Sequence, residues 1–384
     1  MKHTTPVFLS YAFRPFFLLG GIFAILAMLA WLMTLHGSGL MTVTPLWHSH
    51  EMLMGFTMAA VAGFSLTAVA NWTGRPPVHG TPLAWLVVCW LAGRLAMALS
   101  AWIPGGIVAM LDLLFPVLLC VVLGREIIGG RSRRNYGLVV IMVLMAVLNG
   151  LYHVGVNGIV ANVERLAIYL LIHTVLLLVT IITGRIVPSF TANWLRQQGH
   201  INPPVIDLRL NHITILLTVL AGLSASFAPQ GTLTGILAFA AALAHGLRLS
   251  RWRGFATTSN PLLFVLHLAY IWLPVGYALL GCVAFGWLLT STAALHALTV
   301  GAIGSIVLAV TTRVALGHTG RPLQAARMTV VAYGVFTLAA MIRVAGPLTG
   351  DAYLLLIDLS AAGWLLSFAL FSWVYWPILT RPRL

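Results

Sequence analysis

The residues best suited to metal chemistry lie together in the segment Trp47-His48-Ser49-His50-Glu51-Met52. Imidazole nitrogens ligate copper and haem iron, and a neighbouring carboxylate can orient a ligating imidazole. On a helix His48 and His50 diverge by about 200°, so they face one metal ion only if the first turn is unwound. In a regular helix, one of them is expected to ligate a metal, while the other orients the first or binds a second centre. The alternative is that the segment is simply the polar start of a helix.

The elements that must position these residues are about twelve apolar stretches, each about as long as a bilayer is thick. Of the 384 residues, 60% are hydrophobic and 7% are charged, whereas soluble domains carry about 25% charged residues. We predict an all-α fold, a polytopic membrane helix bundle forming a single integral membrane domain over residues 1–384. The predicted helices lie near 14–35, 47–71, 80–102, 105–128, 134–157, 163–186, 208–228, 231–251, 261–285, 289–316, 325–346 and 350–378.

Arginines occur in alternate connectors between these stretches. The connector near His36 to Pro45 has no Lys or Arg, the next carries Arg75, the third has none, and the fourth is rich in arginine. By the positive-inside rule, this alternation predicts that both termini lie in the cytoplasm. It also accounts for the formal charge of +14 without a nucleic-acid partner.

Other features of the sequence limit the classes of function that are possible. The longest connector is predicted over about Arg185 to Asp207, folding over the cytoplasmic helix ends. No internal repeat is evident, which argues against a transporter built from two matching halves. The chain contains no Gly-x-Ser-x-Gly, no His-Glu-x-x-His and no phosphate loop, so the usual hydrolase arrangements are absent.

Depth in the membrane brings further polar groups level with the His/Glu segment. His296 is expected about 10 Å below the outer end of its helix, His153 near an outer helix end, and His173 close to the midplane. Charged groups inside a bilayer are rare and usually functional. We predict a polar chamber in which imidazoles ligate metal, carboxylates orient them and arginines pair with anionic groups such as haem propionates. Any single imidazole is also consistent with a structural hydrogen bond. The other members are Arg94, Asp112, Asn149, Asn157, Arg343 and Asp358.

A second set of imidazoles is predicted toward the cytoplasm, on His212, His245 and His267. His245 and His267 belong to the two helices of a hairpin and are expected to be level with each other. Two such residues on facing helices are the arrangement that a bis-histidine haem needs. Hydrogen bonds to backbone groups near the inner interface are the alternative.

Several motifs together resemble the NnrS family, and the resemblance spans almost the whole chain. It implies a bacterial inner-membrane protein that contains haem b and copper and is linked to nitric oxide metabolism and nitrosative stress tolerance. It supplies no ligand set. The motifs are Phe13-Arg14-Pro15-Phe16-Phe17, His48-Ser49-His50-Glu51-Met52, Gly63-Phe64-Ser65-Leu66-Thr67-Ala68, Asn71-Trp72-Thr73-Gly74, Trp90-Leu91-Ala92-Gly93-Arg94, Leu266-His267-Leu268-Ala269-Tyr270, His296-Ala297-Leu298-Thr299 and Leu316-Gly317-His318-Thr319-Gly320-Arg321-Pro322.

The leading hypothesis is therefore a multi-pass haem and copper protein that binds or turns over nitric oxide, with no electron donor identified. His48, His50 and His296 are the predicted outer ligands, with His153 and His173 as further metal candidates. Glu51 is predicted to orient a ligand or carry protons. The remaining assignments are Arg94 as propionate partner or structural counter-ion, and His245 with His267 as the inner pair.

Two alternatives from other classes remain open. The first is a proton-coupled transporter of a small solute, and the second is a metal-bearing sensor or assembly partner without turnover. No catalytic residue is assigned under any of these hypotheses.

Overall fold

The computed structural model describes residues 6–38, 43–288 and 290–384, and this part of the chain contains helices and no β-strand. The predicted all-α fold is confirmed, with twelve helices that are long and apolar enough to cross a bilayer. They are α1 Phe13–Leu35, α2 Pro45–Thr73, α3 Thr81–Ala98, α4 Gly105–Gly129, α5 Arg133–Val156, α6 Val163–Gln197, α7 Leu208–Phe227, α8 Thr232–Ser250, α9 Pro261–Ala284, α10 Ser291–His318, α11 Arg327–Leu348 and α12 Gly350–Thr380.

The helix bounds differ most from the prediction at α6. The expectation of a connector beginning at Arg185 is wrong, because the helix continues to Gln197 through Pro188. Val187, Thr191 and Leu195 are all buried, so the buried stripe at a spacing of four residues extends past the proline and stabilises the extra turns. The predicted start of helix 10 at residue 289, and residues 39–42 of the first predicted connector, lie outside the described residues.

The chain divides into two compact units. Unit 1 comprises Met1–Leu171, Val314–Pro322 and Phe368–Leu384, and unit 2 comprises Ile172–Arg313 and Leu323–Ser367. Each unit has its own packed interior, described separately below. The single integral domain remains a prediction.

Unit 1 is held together by close packing of α1 on α2. The backbone N–H of Phe13 donates to Thr67 Oγ1 at 3.1 Å. Gly63 makes room for the aromatic residues at the start of α1, because a Cβ there would lie 2.6 Å from the ring of Phe17. The ring of Phe16 in turn packs on Phe115 of α4, with ring centroids 5.5 Å apart. Small residues at helix contacts are the usual means of close approach in membrane proteins.

Unit 2 uses the same device where α8 meets α9. A Cβ on Gly235 would lie 2.4 Å from the ring of Phe285, and a Cβ on Gly281 would lie 2.9 Å from the ring of Phe239. The two phenylalanine rings stack with centroids 6.0 Å apart. Glycine on one helix therefore accepts an aromatic ring from the other side of the contact.

Two of the twelve helices contain π-helical stretches. One covers Glu51–Thr57 in α2 and the other Ala297–Gly304 in α10. Each begins directly after a histidine, His50 in the first case and His296 in the second. Such stretches are rare and are frequent at functional sites, since they reorient the side chains around them.

The start of α7 is fixed by a capping carboxylate. Asp207 accepts a hydrogen bond from the backbone N–H of Leu210 at 3.1 Å and pairs with Arg251 at 2.5 Å. These contacts, the Leu210 amide first and the Arg251 guanidinium next, hold the pKa of Asp207 below its usual value. The end of the 198–207 connector is thereby tied to the segment after α8.

Candidate metal centre

The His/Glu segment is anchored at the beginning of α2. Thr44 is the N-cap, and its hydroxyl accepts from the backbone N–H of Trp47 at 3.1 Å. The indole Nε1 of Trp47 donates to the carbonyl of Met97, at the end of α3, at 3.0 Å. The cap and the buried indole together fix how α2 starts. As a result His50 and Glu51 are fully buried, with no exposed surface.

Oxygen acceptors surround the His50 ring. Its Nδ1 lies 2.8 Å from Oε1 of Glu51, and its Nε2 lies 2.8 Å from Oδ1 of Asn149 and 3.2 Å from Oδ2 of Asp112. The ring stacks on Tyr152 with centroids 4.4 Å apart. Because both ring nitrogens face acceptors, both carry protons in this arrangement, and His50 is an imidazolium.

Asp112, on α4, contacts three other helices, which are α2 through His50, α3 and α5. Its Oδ1 accepts from Arg94 of α3. Its Oδ2 accepts from Asn149 Nδ2 at 2.7 Å and from His153 Nε2 at 2.8 Å, both on α5. Gly93 allows the approach of α3 to α4, since a Cβ there would lie 3.1 Å from the Asp112 Cα. Asp112 is therefore the residue that connects the arginine to both imidazoles.

Arg94 is the counter-ion of the site. Its Nη1 donates to Glu51 Oε1 at 2.5 Å, and its Nη2 donates to Asp112. Two cations, Arg94 and His50, thus balance two carboxylates, Glu51 and Asp112. A neutral set of this kind reduces the cost of placing four charges where water is excluded. Both terminal nitrogens of its guanidinium group are therefore occupied by protein carboxylates.

The donor set can hold a metal ion if metal bonds replace the hydrogen bonds of His50 and His153 and His50 loses a proton. Ligand atoms of His50, Asp112 and His153 lie within 4.8 Å of one another, and all three residues are buried. Two imidazoles and a carboxylate suit copper, iron or zinc. Glu51 holds Nδ1 of His50, as the partner carboxylates of ligating histidines do, which directs Nε2 to the metal. The second oxygen of Glu51, Oε2, is buried and has no hydrogen-bond partner among the described residues.

A cavity of about 480 Å³ reaches this site within unit 1. Its walls include Trp47, Tyr152, His153 and Glu164. His153 therefore lies between the cavity and Asp112, and a small molecule or an ion in the cavity would meet this imidazole first. Glu164 adds a carboxylate to the wall, with its Oε2 atom buried.

The other two predicted outer ligands have different surroundings. The ring of His48 stacks on Trp31 of α1, with centroids 4.7 Å apart, so His48 and His50 contact different helices, as their divergence on the helix requires. His296, in unit 2, donates from Nδ1 to the carbonyl of Thr292 at 2.8 Å. This bond fixes the tautomer, with the proton on Nδ1.

The inner pair is embedded in hydrogen bonds of unit 2. Nδ1 of His245 accepts from the hydroxyl of Tyr270 at 2.7 Å, and its Nε2 donates to Thr218 at 3.0 Å. Nε2 of His267 lies 2.9 Å from the hydroxyl of Thr191. The structure shows both nitrogens of His245 engaged, so ligation there requires one of these bonds to break.

His173 is the most poorly satisfied of these imidazoles. It lies on α6 against Gly222, where a Cβ would be 2.7 Å from the His173 Cβ. The side chain is 7% exposed, and neither ring nitrogen has a hydrogen-bond partner among the described residues. A buried imidazole of this kind requires a partner, and the residues that the structure describes provide none.

Sequence reasoning placed Asp112 and Asn149 in the polar chamber but did not identify them as neighbours of His50. It missed Tyr152 altogether. Asn149 and His153 are four residues apart and therefore share a helix face, a signal that was visible. The Gly93-Arg94 pair gave a second signal, because a glycine beside a buried charge permits the close helix approach that the charge needs.

Fold and site together define a class, a polytopic membrane protein with a buried, charge-balanced His/carboxylate centre. A family model described as NnrS protein matches residues 7–383, so the chain belongs to the NnrS family. No curated protein matches it. Membership fits a nitric-oxide-response membrane protein, and the family is associated with metal and haem binding.

Proposed function

We propose that this protein is a haem b and copper protein of the bacterial inner membrane that binds or turns over nitric oxide and supports tolerance to nitrosative stress. The observation that carries the proposal is the buried group of His50, Asp112 and His153 in a member of the NnrS family. The twelve helices that are long and apolar enough to cross a bilayer support the membrane location.

Copper is assigned to this group. His50 and His153 supply imidazoles, Asp112 supplies a carboxylate, and Glu51 orients His50 through Nδ1. Metal binding at Nε2 of His50 requires the loss of its proton, so the affinity for copper falls as the pH is lowered. Arg94 is committed to Glu51 and Asp112, and we assign it as a structural counter-ion rather than a propionate partner.

Haem is assigned to histidines outside this group, and the candidates remain His48, His173, His245, His267 and His296. His296 is favoured by its fixed tautomer and His173 by its lack of partners among the described residues. Bound metal centres would supply the coordination position for nitric oxide. The protein's part is to exclude water, to hold the imidazoles and to retain charge balance through Arg94.

Nitric oxide is small and apolar, so it enters from the lipid without a water-filled channel. Protons, by contrast, need a polar route. The cavity lined by His153 and Glu164 offers one within unit 1, and His153 connects it to Asp112 of the buried centre. These residues are therefore compatible with a protein that only binds nitric oxide and with an enzyme that turns it over.

The test compares purified wild type with His50→Ala, His153→Ala and Asp112→Asn, and uses exposed His200→Ala as the matched control. Copper is measured by plasma mass spectrometry and haem by its pyridine complex, at neutral and acidic pH. We expect the three site variants to lose copper and keep haem, the control to keep both, and wild-type copper to decrease on acidification. Full copper content in all variants would refute the site.

Haem ligation and turnover are measured on the same preparations. Alanine variants of the five candidate histidines are compared by their Soret spectra with and without nitric oxide. Steady-state consumption of nitric oxide with an added electron donor then separates an enzyme from a sensor. A colourless, metal-free wild-type protein that still protects cells would refute the haem and copper proposal as a whole.

A further inference from the structure

Four arginines from three separate segments lie near the beginning of α1 in unit 1. Arg14 lies in the first turn of α1, Arg321 follows α10, and Arg381 and Arg383 follow α12. Nη1 of Arg14 donates to the carbonyls of Leu379 at 2.9 Å and Arg381 at 2.7 Å. The first turn of α1 is therefore fixed directly to the end of α12.

The segment after α10 is attached to the same place. The backbone N–H of Leu384 donates to the carbonyl of Thr319 at 3.0 Å. Gly320 has a φ of 74°, and a Cβ there would lie 2.7 Å from the main-chain oxygen of Leu384. Glycine thus permits both the left-handed turn and the close approach that brings Arg321 and Arg383 to this cluster.

The cluster has positive charge in excess. Arg14 is 2% exposed, and the charge of Arg321 acts on it directly. None of the four arginines forms an ion pair with a carboxylate within the described ranges 6–38, 43–288 and 290–384. Opposite charges normally accompany a buried guanidinium, because an unpaired buried charge is strongly unfavourable.

Hydrogen-bond donors are also left over. Nε of Arg14 and Nη1 of Arg321 are buried and have no acceptor among the described residues. The two carbonyls use only Nη1 of Arg14, and the ring of Phe13, 5.5 Å from its guanidinium carbon, is neutral. The protein groups present therefore satisfy only part of Arg14.

We propose that Arg14, Arg321, Arg381 and Arg383 bind the phosphate of an anionic phospholipid headgroup. Phosphate oxygens accept several hydrogen bonds at once, and the guanidinium fork matches their geometry. Exposure increases from buried Arg14 through half-buried Arg321 to exposed Arg381 and Arg383, so the headgroup enters from the helix ends. Basic pockets at the ends of membrane helices bind headgroups in this way. This site is independent of the proposed nitric oxide function.

The experiment uses the full chain purified in neutral detergent. Native mass spectrometry measures retention of phosphatidylglycerol and of phosphatidylcholine, and a thermal-shift series repeats both with inorganic phosphate as a third arm. The variants are Arg321→Gln and Arg383→Gln. Arg134→Gln is the control, since Arg134 is an exposed arginine of the same unit and the charge change is identical.

Wild type is expected to retain phosphatidylglycerol in preference to phosphatidylcholine, and each variant to weaken this binding about fivefold. Arg134→Gln should match wild type. Equal retention of the two lipids, or equal effects of all three substitutions, would overturn the site. Stabilisation by inorganic phosphate without retention of lipid would overturn the lipid as its source. Arg383 is exposed, so Arg383→Gln tests the proposal even if Arg321→Gln fails to fold.

Discussion

The Arg94 guanidinium group balances the negative charge of the two carboxylates in the buried centre. Its two terminal nitrogens are shared between Glu51 and Asp112, which come from different helices. Neither carboxylate has an exposed surface above 1%. Without the guanidinium, two negative charges would remain in a region without water, opposed only by the proton on His50.

Arg94→Gln is therefore expected to destabilise the protein by about 3–5 kcal/mol, the range found when one partner of a buried ion pair is removed. Exposed Arg134→Gln should change the stability by less than about 0.5 kcal/mol. Thermal unfolding of both variants in detergent, followed by intrinsic tryptophan fluorescence, measures the difference. Equal melting temperatures would mean that the charge balance described here does not stabilise the fold.

At the level of single residues, part of the candidate site could be predicted from the sequence. His50 and Glu51 were identifiable because three titratable groups lie within four residues. Their partners were not assignable to them, because Asp112 and His153 come from helices whose relative rotation depends on packing. The histidine tautomers could not be predicted either, because they depend on hydrogen-bond partners such as the Thr292 carbonyl beside His296.

At the level of helices, Gly93 determines how closely α3 approaches α4. This residue places α3 against α4 so that Arg94 reaches Asp112. An added side chain would press on the backbone of Asp112, which cannot rotate away as a flexible side chain would. The glycine therefore supports the ion pair one residue along the chain.

Gly93→Val is expected to cost about 1–3 kcal/mol, as for overpacking of a tight contact, and to reduce copper retention by misplacing Arg94. The matched control is Gly137→Val, because a Cβ on Gly137 meets no atom within 4 Å. Melting temperature and copper content are measured together on both variants. If Gly93→Val behaves like Gly137→Val, the close contact between α3 and α4 is not required.

Twelve helices were predictable because each is an apolar run long enough to cross a bilayer, a property that depends on composition alone. The continuation of α6 through Pro188 was not, since it depends on burial of Val187 and Leu195 in the folded protein. Nor were the π-helical stretches after His50 and His296, because they are rare and no pattern in the sequence at these positions indicates them.

On the scale of the whole molecule, basic residues outnumber acidic ones threefold. The formal charge is +14, with 21 basic and 7 acidic residues. At the buried centre, Arg94 pairs with two acidic side chains. The arginines of unit 1 after α10 and α12, by contrast, form no ion pair among the described residues. Such unpaired arginines are expected where anionic lipids and the positive-inside rule favour them, on the cytoplasmic side.

This orientation is tested by single cysteines in exposed connectors. Ala101→Cys, between α3 and α4, is predicted outside, and Ser259→Cys, between α8 and α9, is predicted in the cytoplasm. A membrane-impermeant maleimide added to intact spheroplasts should label Ala101→Cys alone, and both variants should react after lysis. Wild type controls for the native cysteines Cys89, Cys120 and Cys282, which lie within α3, α4 and α9. Labelling of Ser259→Cys in intact spheroplasts would reverse the assignment, and the arginine cluster would then face the outer leaflet, where its lipid partner would have to be sought.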